Sequence, residues 1–283
     1  MVEGSKTREL FFDEIGYWSE VKLDIIREYA QEYSIILSKQ QLAYAYIDGF
    51  AGSGVHISKG TREFVPGSPL NALRIQPPFH EYYLVDLDGN RIKQLRNFPE
   101  VKNRPEVHVI QGNCNEVLLS RIFPKVRYED YRRALCLLDP YALHLNWNVV
   151  ERAGKMRSVE IFLNFPIMDI NRTALWLQPE KVADWGITRM NSFWGDESWR
   201  KAAYAEQATL FGEPDYIKRG NQRVVEAYCE RLKSVGGFGF VPEPMPMRNS
   251  NNAVVYYLVF ASQKPVAERI VRHIFNKHRD RRG

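Results

Sequence analysis

The sequence contains no long hydrophobic run. A membrane-spanning helix needs roughly 18 or more consecutive apolar residues, and no segment of the 283 residues approaches that length. Residues 1–10 are too polar to form the apolar centre of a signal peptide. These two absences predict a protein with no membrane partner and a cytoplasmic location.

Cysteine is scarce and scattered. The chain has three cysteines, Cys114, Cys136 and Cys229, and no two of them form a CxxC pair. An odd number of widely spaced cysteines argues against a disulfide framework, and the absence of paired spacing argues against a zinc site. We therefore expect reduced thiols and no metal.

The excess of positive over negative charge is also small. The 39 Lys and Arg residues exceed the 34 Asp and Glu residues by five, and much of that excess lies in residues 277–282. This permits an anionic partner without requiring one, because a solvated helix end explains the same tail. Hydrophobic residues make up 45% of the chain, enough for one sizeable core, so we expect a single domain over residues 1–283.

Short apolar segments alternate with helical segments along the chain. The predicted strands are 43–48, 82–86, 107–111, 134–139 and 159–164, and the helices between them are 89–98, 115–123 and 146–155. Such alternation is typical of βαβ units. The sequence therefore predicts an α/β fold with a doubly wound, mostly parallel sheet, and a long polar loop at 57–67 before a helix that begins near Ser68.

Three further segments flank this pattern. Apolar residues at helical spacing over 17–37 predict an N-terminal helical cap within residues 1–40. Four scattered tryptophans among helix-forming residues predict a helical insertion at 171–235 over the active face. Residues 236–283 predict a closing antiparallel hairpin with strands at 238–241 and 253–261, a Pro-rich turn at 242–246, and a helix from Pro265 to about Lys277.

Small residues follow the first strand directly. In an open parallel sheet, ligands collect outside the carboxyl ends of the strands, and glycines let the backbone approach a ligand closely. The spacing here has no lysine after Gly54 and is not GxGxxG, which disfavours a nucleoside triphosphate and a nicotinamide cofactor. The predicted cofactor loop is Asp48-Gly49-Phe50-Ala51-Gly52-Ser53-Gly54.

Polar residues also follow the next three strands. Asp86, followed by Leu87 and Asp88, can accept hydrogen bonds from both ribose hydroxyls, with Asp88 as the alternative carboxylate. Asn113, next to Cys114, can bond the amine of an adenine ring, although a plain helix cap explains it as well. Asp139-Pro140-Tyr141 places an acid and an aromatic residue where a substrate would meet the cofactor.

Taken in order, these strand ends resemble the class I (Rossmann-like) S-adenosylmethionine-dependent methyltransferases. More narrowly, residues 67–73, 138–141 and 164–172, together with Trp147, resemble the three-Cys-motif partner protein family. That family is grouped with methyltransferases and is named for a neighbouring three-cysteine radical enzyme, so the cysteines of this chain carry none of that meaning.

The resemblance implies S-adenosyl-L-methionine as cofactor and transferase activity of class EC 2.1.1. It implies that Gly49, Gly52 and Gly54 line the methionine moiety, that Asp86 holds the ribose, and that Asn113 faces the adenine. The segment 139–141 then faces the acceptor and has the catalytic role. Methyltransferases of nucleic-acid amines use an acid or amide, then prolines and an aromatic residue, to hold the target amine.

Several alternatives stay open at this point. Here a single proline precedes the aromatic residue, so an amine of a nucleic-acid base is the favoured acceptor, with a protein, a peptide or a small molecule as alternatives. A cofactor-binding, non-catalytic partner of a radical enzyme is a further possibility. His56, Lys22 and the segment 164–172 could also contact ligands, but we expect a solvated histidine, a packed and salt-bridged lysine and a structural turn.

Overall fold

The structure is a computed structural model that describes residues 13–207 and 215–279. Parts of three predicted segments lie outside these ranges, namely 1–12 of the cap, 208–214 of the insertion and 280–283 of the basic tail. The strands are β1 (Asp13–Ile15), β2 (Ala43–Asp48), β3 (Val55–Ser58), β4 (Phe64–Pro66), β5 (Glu81–Asp86), β6 (Val107–Gln111), β7 (Arg132–Leu138), β8 (Val159–Phe165), β9 (Tyr204–Gln207), β10 (Asp215–Lys218), β11 (Met245–Arg248) and β12 (Val254–Ala261).

The α-helices are α1 (Tyr17–Ser38), α2 (Ser68–Leu73), α3 (Gly89–Arg96), α4 (Cys114–Val117), α5 (Trp147–Met156), α6 (Ile167–Thr173), α7 (Asp184–Trp194), α8 (Trp199–Ala203), α9 (Asn221–Ser234) and α10 (Pro265–Arg279). None of the helices in the described ranges is both long and apolar enough to cross a membrane.

A seven-stranded sheet forms the centre of the molecule. Its strand order is β11-β12-β8-β7-β2-β5-β6. Strands β2, β5, β6, β7 and β8 run parallel, whereas β12 is antiparallel to both of its neighbours. This is a doubly wound, mostly parallel α/β sheet with a closing antiparallel hairpin, and it confirms the predicted fold class.

The central strands are apolar because helices cover both faces of the sheet. Every residue of β2 after Ala43 is buried, as expected for a parallel strand with no solvated face. One apolar cluster packs α5 and α9 against one face, and a second packs α1 and α10 against the other. These two layers hold the strands in place, so the carboxyl ends of neighbouring strands lie along one edge.

The order of the strands reverses between β2 and β7. From β2 the chain moves outward to β5 and β6, and it then returns to place β7 on the other side of β2. The loops after β2 and β7 therefore diverge at the carboxyl edge and leave a crevice, the usual ligand position in folds of this kind.

The closing hairpin uses a different first strand from the predicted one. Met245–Arg248 pairs with β12, whereas the predicted strand at 238–241 contributes only a bridge between Phe240 and Ser262. Because prolines are common in turns, Pro246 led to the prediction of a turn at this segment. It is tolerated in β11 because that strand lies at the edge of the sheet, where a missing N–H costs little.

The long polar loop predicted at 57–67 is also wrong in part. Strands β3 and β4 form an antiparallel hairpin, and β1 pairs in parallel with β3. The polar character of residues 59–63 reflects the exposed turn of this hairpin. The resulting three-stranded sheet begins immediately after the glycine loop and brings the N-terminal strand close to it.

Two helical predictions also need correction. The insertion contains α6 to α9, but it also carries a two-stranded antiparallel sheet of β9 and β10. The helix predicted at 115–123 is a short α-helix followed by a π-helical segment at 118–122 and a 3-10 turn at 123–125. Pro124 lacks a backbone N–H and cannot continue a regular helix, which is consistent with this ending.

Candidate functional site

The glycine loop lies at the crevice and is tied to the strands on both sides of β2. The N–H of Gly49 donates to the carbonyl of Leu137 in β7 at 2.9 Å, and the N–H of Ala51 donates to the carbonyl of Val85 in β5 at 2.8 Å. A Cβ atom at Gly49 would lie 2.7 Å from the sulfur of Cys114, so this position needs glycine. The loop is thus fixed at its start by close packing.

Gly52 forms the open part of the loop. Its φ of +63° is a left-handed conformation that favours glycine, and a Cβ built there would have no heavy atom within 4 Å. The neighbouring Ser53 is buried, and its hydroxyl donates to the carbonyl of Val55 at 3.1 Å. The carbonyl of Gly54 accepts from the N–H of Gly67 at 2.8 Å. The backbone therefore surrounds an open cradle.

Asp48 organises this loop from below. Its side chain is fully buried, accepts from the N–H of Phe50 at 3.1 Å, and accepts from the hydroxyl of Ser68 at 2.6 Å. Burial raises the pKa of Asp48 to about 7, against the opposing effect of these two hydrogen bonds. Since the carboxyl is enclosed, its role is to hold the loop and the start of α2 rather than to touch a ligand.

Asp86 links the end of β5 to the glycine loop. Only 5% of the residue is exposed; one carboxylate oxygen accepts from the N–H of Gly52 at 2.8 Å and the other from the N–H of Asp88 at 2.8 Å. Each oxygen keeps a further lone pair for a ligand hydroxyl. Leu87 is exposed, and Asp88 caps α3 by accepting from the N–H of Asn90 at 2.7 Å. The geometry thus favours Asp86 over Asp88 as the ribose ligand.

Asn113 is the N-cap of α4. Its side-chain oxygen accepts from the N–H of Asn115 at 2.9 Å and from the amide of the same residue at 3.1 Å. Asn115 also donates to the carbonyl of His144 at 3.0 Å and accepts from the N–H of Asn146 at 2.7 Å, which ties the loops after β6 and β7 together. Local sequence patterns predict a possible cap here but not this bridge.

Asp139 begins the loop after β7 and is held from two sides. One carboxylate oxygen forms an ion pair with Lys22 of α1, and the other accepts from the side-chain amide of Asn164 at 2.7 Å. The adjacent Pro140 is buried. The side chain of Asp139 remains 28% exposed, which makes it the accessible member of this cluster.

Tyr141 leans across the crevice towards α3. Its hydroxyl accepts from the guanidinium of Arg91, which also lies 5.1 Å from the centre of the tyrosine ring. Arg91 bonds Asp13 of β1 as well, at 3.0 Å. The ring of Tyr141 is still 55% exposed. Arg91 is a site residue that the sequence reasoning missed, because nothing in its local pattern distinguishes it from an ordinary surface arginine.

His56 is not in a loop but in β3, beside this cluster. Its Nδ1 atom is buried and has no hydrogen-bond partner. Burial, followed by the nearby charge of Lys22, lowers the pKa of His56, so the ring is neutral at physiological pH. The structure thus places His56 near Lys22, Asp139 and Arg91, rather than in the solvated loop that the sequence favoured.

Neither protein-family models nor curated proteins match this chain. Among solved structures, protein LPL1258 from Legionella pneumophila, of family-model DUF519, is similar at 11% identity with a TM-score of 0.49, covering 90% of this chain and 92% of that one. The N-terminal domain of EvdMO1 with SAH bound is similar at 10% identity with a TM-score of 0.42, covering 84% of this chain and 80% of that one.

At these levels of similarity, neither structure says what this chain binds. Membership of the three-Cys-motif partner family is not confirmed.

Proposed function

We propose that this chain is an S-adenosylmethionine-dependent methyltransferase and that its acceptor is an amine of a nucleic-acid base. The observation that carries the proposal is the hydrogen bond between the glycine loop after β2 and Asp86 at the end of β5, next to the point where the strand order reverses. An open cradle and a nearby carboxylate with spare lone pairs suit a ligand that has an amino-acid end and a ribose.

The residues of the crevice fit this cofactor. The backbone at Gly49, Gly52 and Gly54 would line its methionine end, Asp86 would accept from its ribose hydroxyls, and the α4 turn at Asn113 and Cys114 would lie beside its adenine. Bound there, it supplies an electrophilic methyl group on a sulfonium. The work left to the chain is to align the acceptor, and such alignment is worth a large effective molarity.

The end of the crevice at Asp139, where a methyl acceptor would lie, supports an amine substrate. Asp139 is an accessible hydrogen-bond acceptor whose orientation is fixed by Lys22 and Asn164. A carboxylate held in this way can accept from an N–H of the substrate and so aim the nitrogen lone pair at the cofactor. Pro140 and Tyr141 follow Asp139 in the order found in nucleic-acid amine methyltransferases, with one proline in place of two.

The exposed aromatic ring supports a nucleic-acid base in particular. Tyr141 and the Arg91 guanidinium above it together offer a surface on which an extruded base can stack, a contact worth roughly 1–3 kcal/mol per base. A protein side chain or a small molecule would not need such a platform.

The test is methyl transfer from radiolabelled cofactor to separate pools of RNA, DNA and protein extract. We expect label in a nucleic-acid pool with the wild type. Asp139→Ala should retain cofactor affinity and lose at least about 100-fold in turnover, because it removes an interaction with the reacting amine. Asp130→Ala is the matched control, since it removes an exposed ion pair with Arg127 and should keep its turnover.

Other results would point elsewhere. Label confined to the protein pool would contradict the nucleic-acid acceptor and leave the methyltransferase. If the protein binds the cofactor, transfers no label to any pool, and keeps its cofactor affinity in Asp139→Ala, the non-catalytic partner of a radical enzyme would be favoured.

A further inference from the structure

An open groove lies at the end of α3 that is farther from the crevice, beside the edge strand β6. Its volume is about 520 Å³, and Val101, Val107 and Val109 form its apolar floor. Among the described strands, none follows β6 in the seven-stranded sheet, so no strand covers the groove on that side. The groove can therefore receive a ligand from outside, and the charges at its rim indicate which kind.

The rim of this groove is basic. Arg96, Lys102 and Arg104 line it, together with no carboxylate of the described ranges. Arg96 donates to the carbonyl of Val109 at 2.7 Å. Neither Arg96 nor Lys102 forms an ion pair with a described residue, whereas Arg104 pairs with Glu106 at 2.7 Å. The first two cations are therefore available to an anionic ligand.

The carboxylates nearby do not cancel this charge. Glu100, next to Val101, pairs with Arg74 at 2.9 Å. Lys93 lies one turn before Arg96 in α3 and adds a further positive charge. These side chains amount to five cations and two carboxylates, an excess of three positive charges: Arg74, Lys93, Arg96, Lys102 and Arg104 against Glu100 and Glu106.

The other charged pair at β6 lies on the opposite face of the sheet. His108 bonds Glu81, and its ring stacks on Tyr83. Side chains alternate along a strand, so His108 points away from Val107 and Val109, which form the floor of the groove. The carboxylate of Glu81 therefore does not face the groove.

We infer that the groove binds the sugar-phosphate backbone of the methyl acceptor, a single-stranded nucleic acid. Guanidinium and ammonium groups form charge-assisted hydrogen bonds with phosphate oxygens, and Arg96 and Lys102 offer one of each. The apolar floor between them can take a sugar ring. Backbone contacts of this kind position a strand without reading its sequence. This inference rests on the proposed function and adds a second contact for its substrate.

Helix α3 connects the groove to the crevice. Its N-cap, Asp88, is bonded to Asp86. In its first turn, Arg91 contacts Tyr141, the ring proposed to stack on the target base. The helix has 8 residues and ends at Arg96, so it spans about 12 Å. Phosphates of a stacked strand are about 3.4 Å apart, so a strand leaving the crevice reaches the groove within about four nucleotides. This continuity favours a nucleic acid over an acidic protein.

The test is fluorescence anisotropy with labelled single strands of about 12 nucleotides, one RNA and one DNA, over a range of salt concentrations. The double variant Arg96→Gln, Lys102→Gln should weaken binding of the preferred strand about tenfold. It should also reduce the magnitude of the salt slope by about 1.4, since each phosphate contact on a single strand accounts for about 0.7. The matched control is Arg152→Gln, Arg269→Gln, which removes two exposed cations from α5 and α10 and should keep the wild-type affinity.

A second measurement separates strand binding from folding. Both double variants should bind S-adenosylhomocysteine as the wild type does, because the groove lies outside the cofactor crevice. Should the groove variant lose this binding, Lys102→Glu decides the test instead, since it changes one exposed side chain. It should weaken strand binding at least about threefold more than Arg269→Glu does.

Three outcomes would count against the inference. Equal weakening in the groove variants and their controls would overturn it and leave the proposed function intact. Competition by polyglutamate as strong as that by the unlabelled strand would place an acidic protein in the groove and would also overturn it. A wild type that binds neither strand would contradict the nucleic-acid acceptor and remove this inference with it.

Discussion

At the scale of single residues, the site depends on a few backbone positions where glycine is favoured. Gly52 is the clearest, since it combines a left-handed φ with open space where a Cβ would point. Gly49 is constrained in another way, by the sulfur of Cys114. The first position shapes a ligand site and the second shapes the packing beneath it.

We predict that Gly52→Ala lowers the free energy of unfolding by about 1–2 kcal/mol, the cost of a left-handed non-glycine residue. The added methyl group enters the cradle, so the affinity for S-adenosylmethionine should fall at least about tenfold. Gly237→Ala is the matched control, because Gly237 also has a positive φ, +84°, but lies in another part of the fold.

Urea unfolding and calorimetry measure the two effects in both variants. The control should lose a comparable amount of stability and keep its affinity. Equal cofactor affinity in Gly52→Ala and the wild type would contradict the placement of the cofactor against this loop.

At the scale of elements, the sequence was sufficient for the central strands and insufficient for the peripheral ones. Buried parallel strands are nearly continuous apolar runs, so β2 was predicted with the bounds that the structure has. The edge strand β6 is only half-buried, since four of its five residues are intermediate in burial, and it was also predicted with its observed bounds. Strand β11 contains Pro246, and the short strands β3 and β4 are separated by a polar turn and are completed by β1 from a distant part of the chain. Local patterns cannot reveal such pairings.

The same limit applies to the site. Residues that follow strands could be placed together because parallel strands end at one edge of a sheet, and this was enough for Asp48, Asp86 and Asp139. Two of the side-chain contacts at this edge come from helices far away in the sequence. Lys22 reaches Asp139 across 117 residues and Arg91 reaches Tyr141 across 50, and neither contact leaves a periodic signal.

The contact between α1 and β8 yields a prediction on pH. Tyr29 donates to Glu160, and burial raises the pKa of this carboxyl to about 7, against the opposing hydrogen bond. A folded pKa above the unfolded value of 4.5 means that the stabilisation is complete below pH 4.5 and is lost as the pH rises through about 7. Glu160→Gln keeps a hydrogen-bond acceptor and removes the titration.

We therefore expect Glu160→Gln to match the wild type in free energy of unfolding at pH 4.5 and to exceed it by about 2 kcal/mol at pH 8. Chemical denaturation at the two pH values measures this difference. Glu151→Gln, at an exposed i,i+4 pair with Lys155, is the control and should show little pH-dependent gain. A variant less stable than the wild type at pH 8 would contradict the account.

At the scale of the whole molecule, two apolar layers clamp the sheet while the ligand-binding loops stay at one edge. Large aromatic side chains fill both layers, with Tyr228 packed against Trp147 and Phe165 on one side and Tyr29 against Phe162 on the other. The rigid centre fixes the carboxyl ends of the strands. Ligand binding should therefore change the loops and leave the layers as they are.

Hydrogen exchange tests this division. Adding S-adenosylhomocysteine should slow amide exchange in the segments 49–54 and 88–92, because both join the cofactor crevice through Asp86. The helix α10, which packs against α1, serves as an internal reference. Its amide exchange rates should not change. Protection confined to α10 or to the insertion would place the ligand elsewhere.

The central claim, that the crevice binds S-adenosylmethionine, is tested most directly by calorimetric titration of the purified protein with that cofactor and, separately, with NADH. We predict micromolar binding of S-adenosylmethionine that is abolished by Asp86→Ala and retained by Asp88→Ala, with no binding of NADH. Binding of NADH without binding of the sulfonium cofactor would contradict the account.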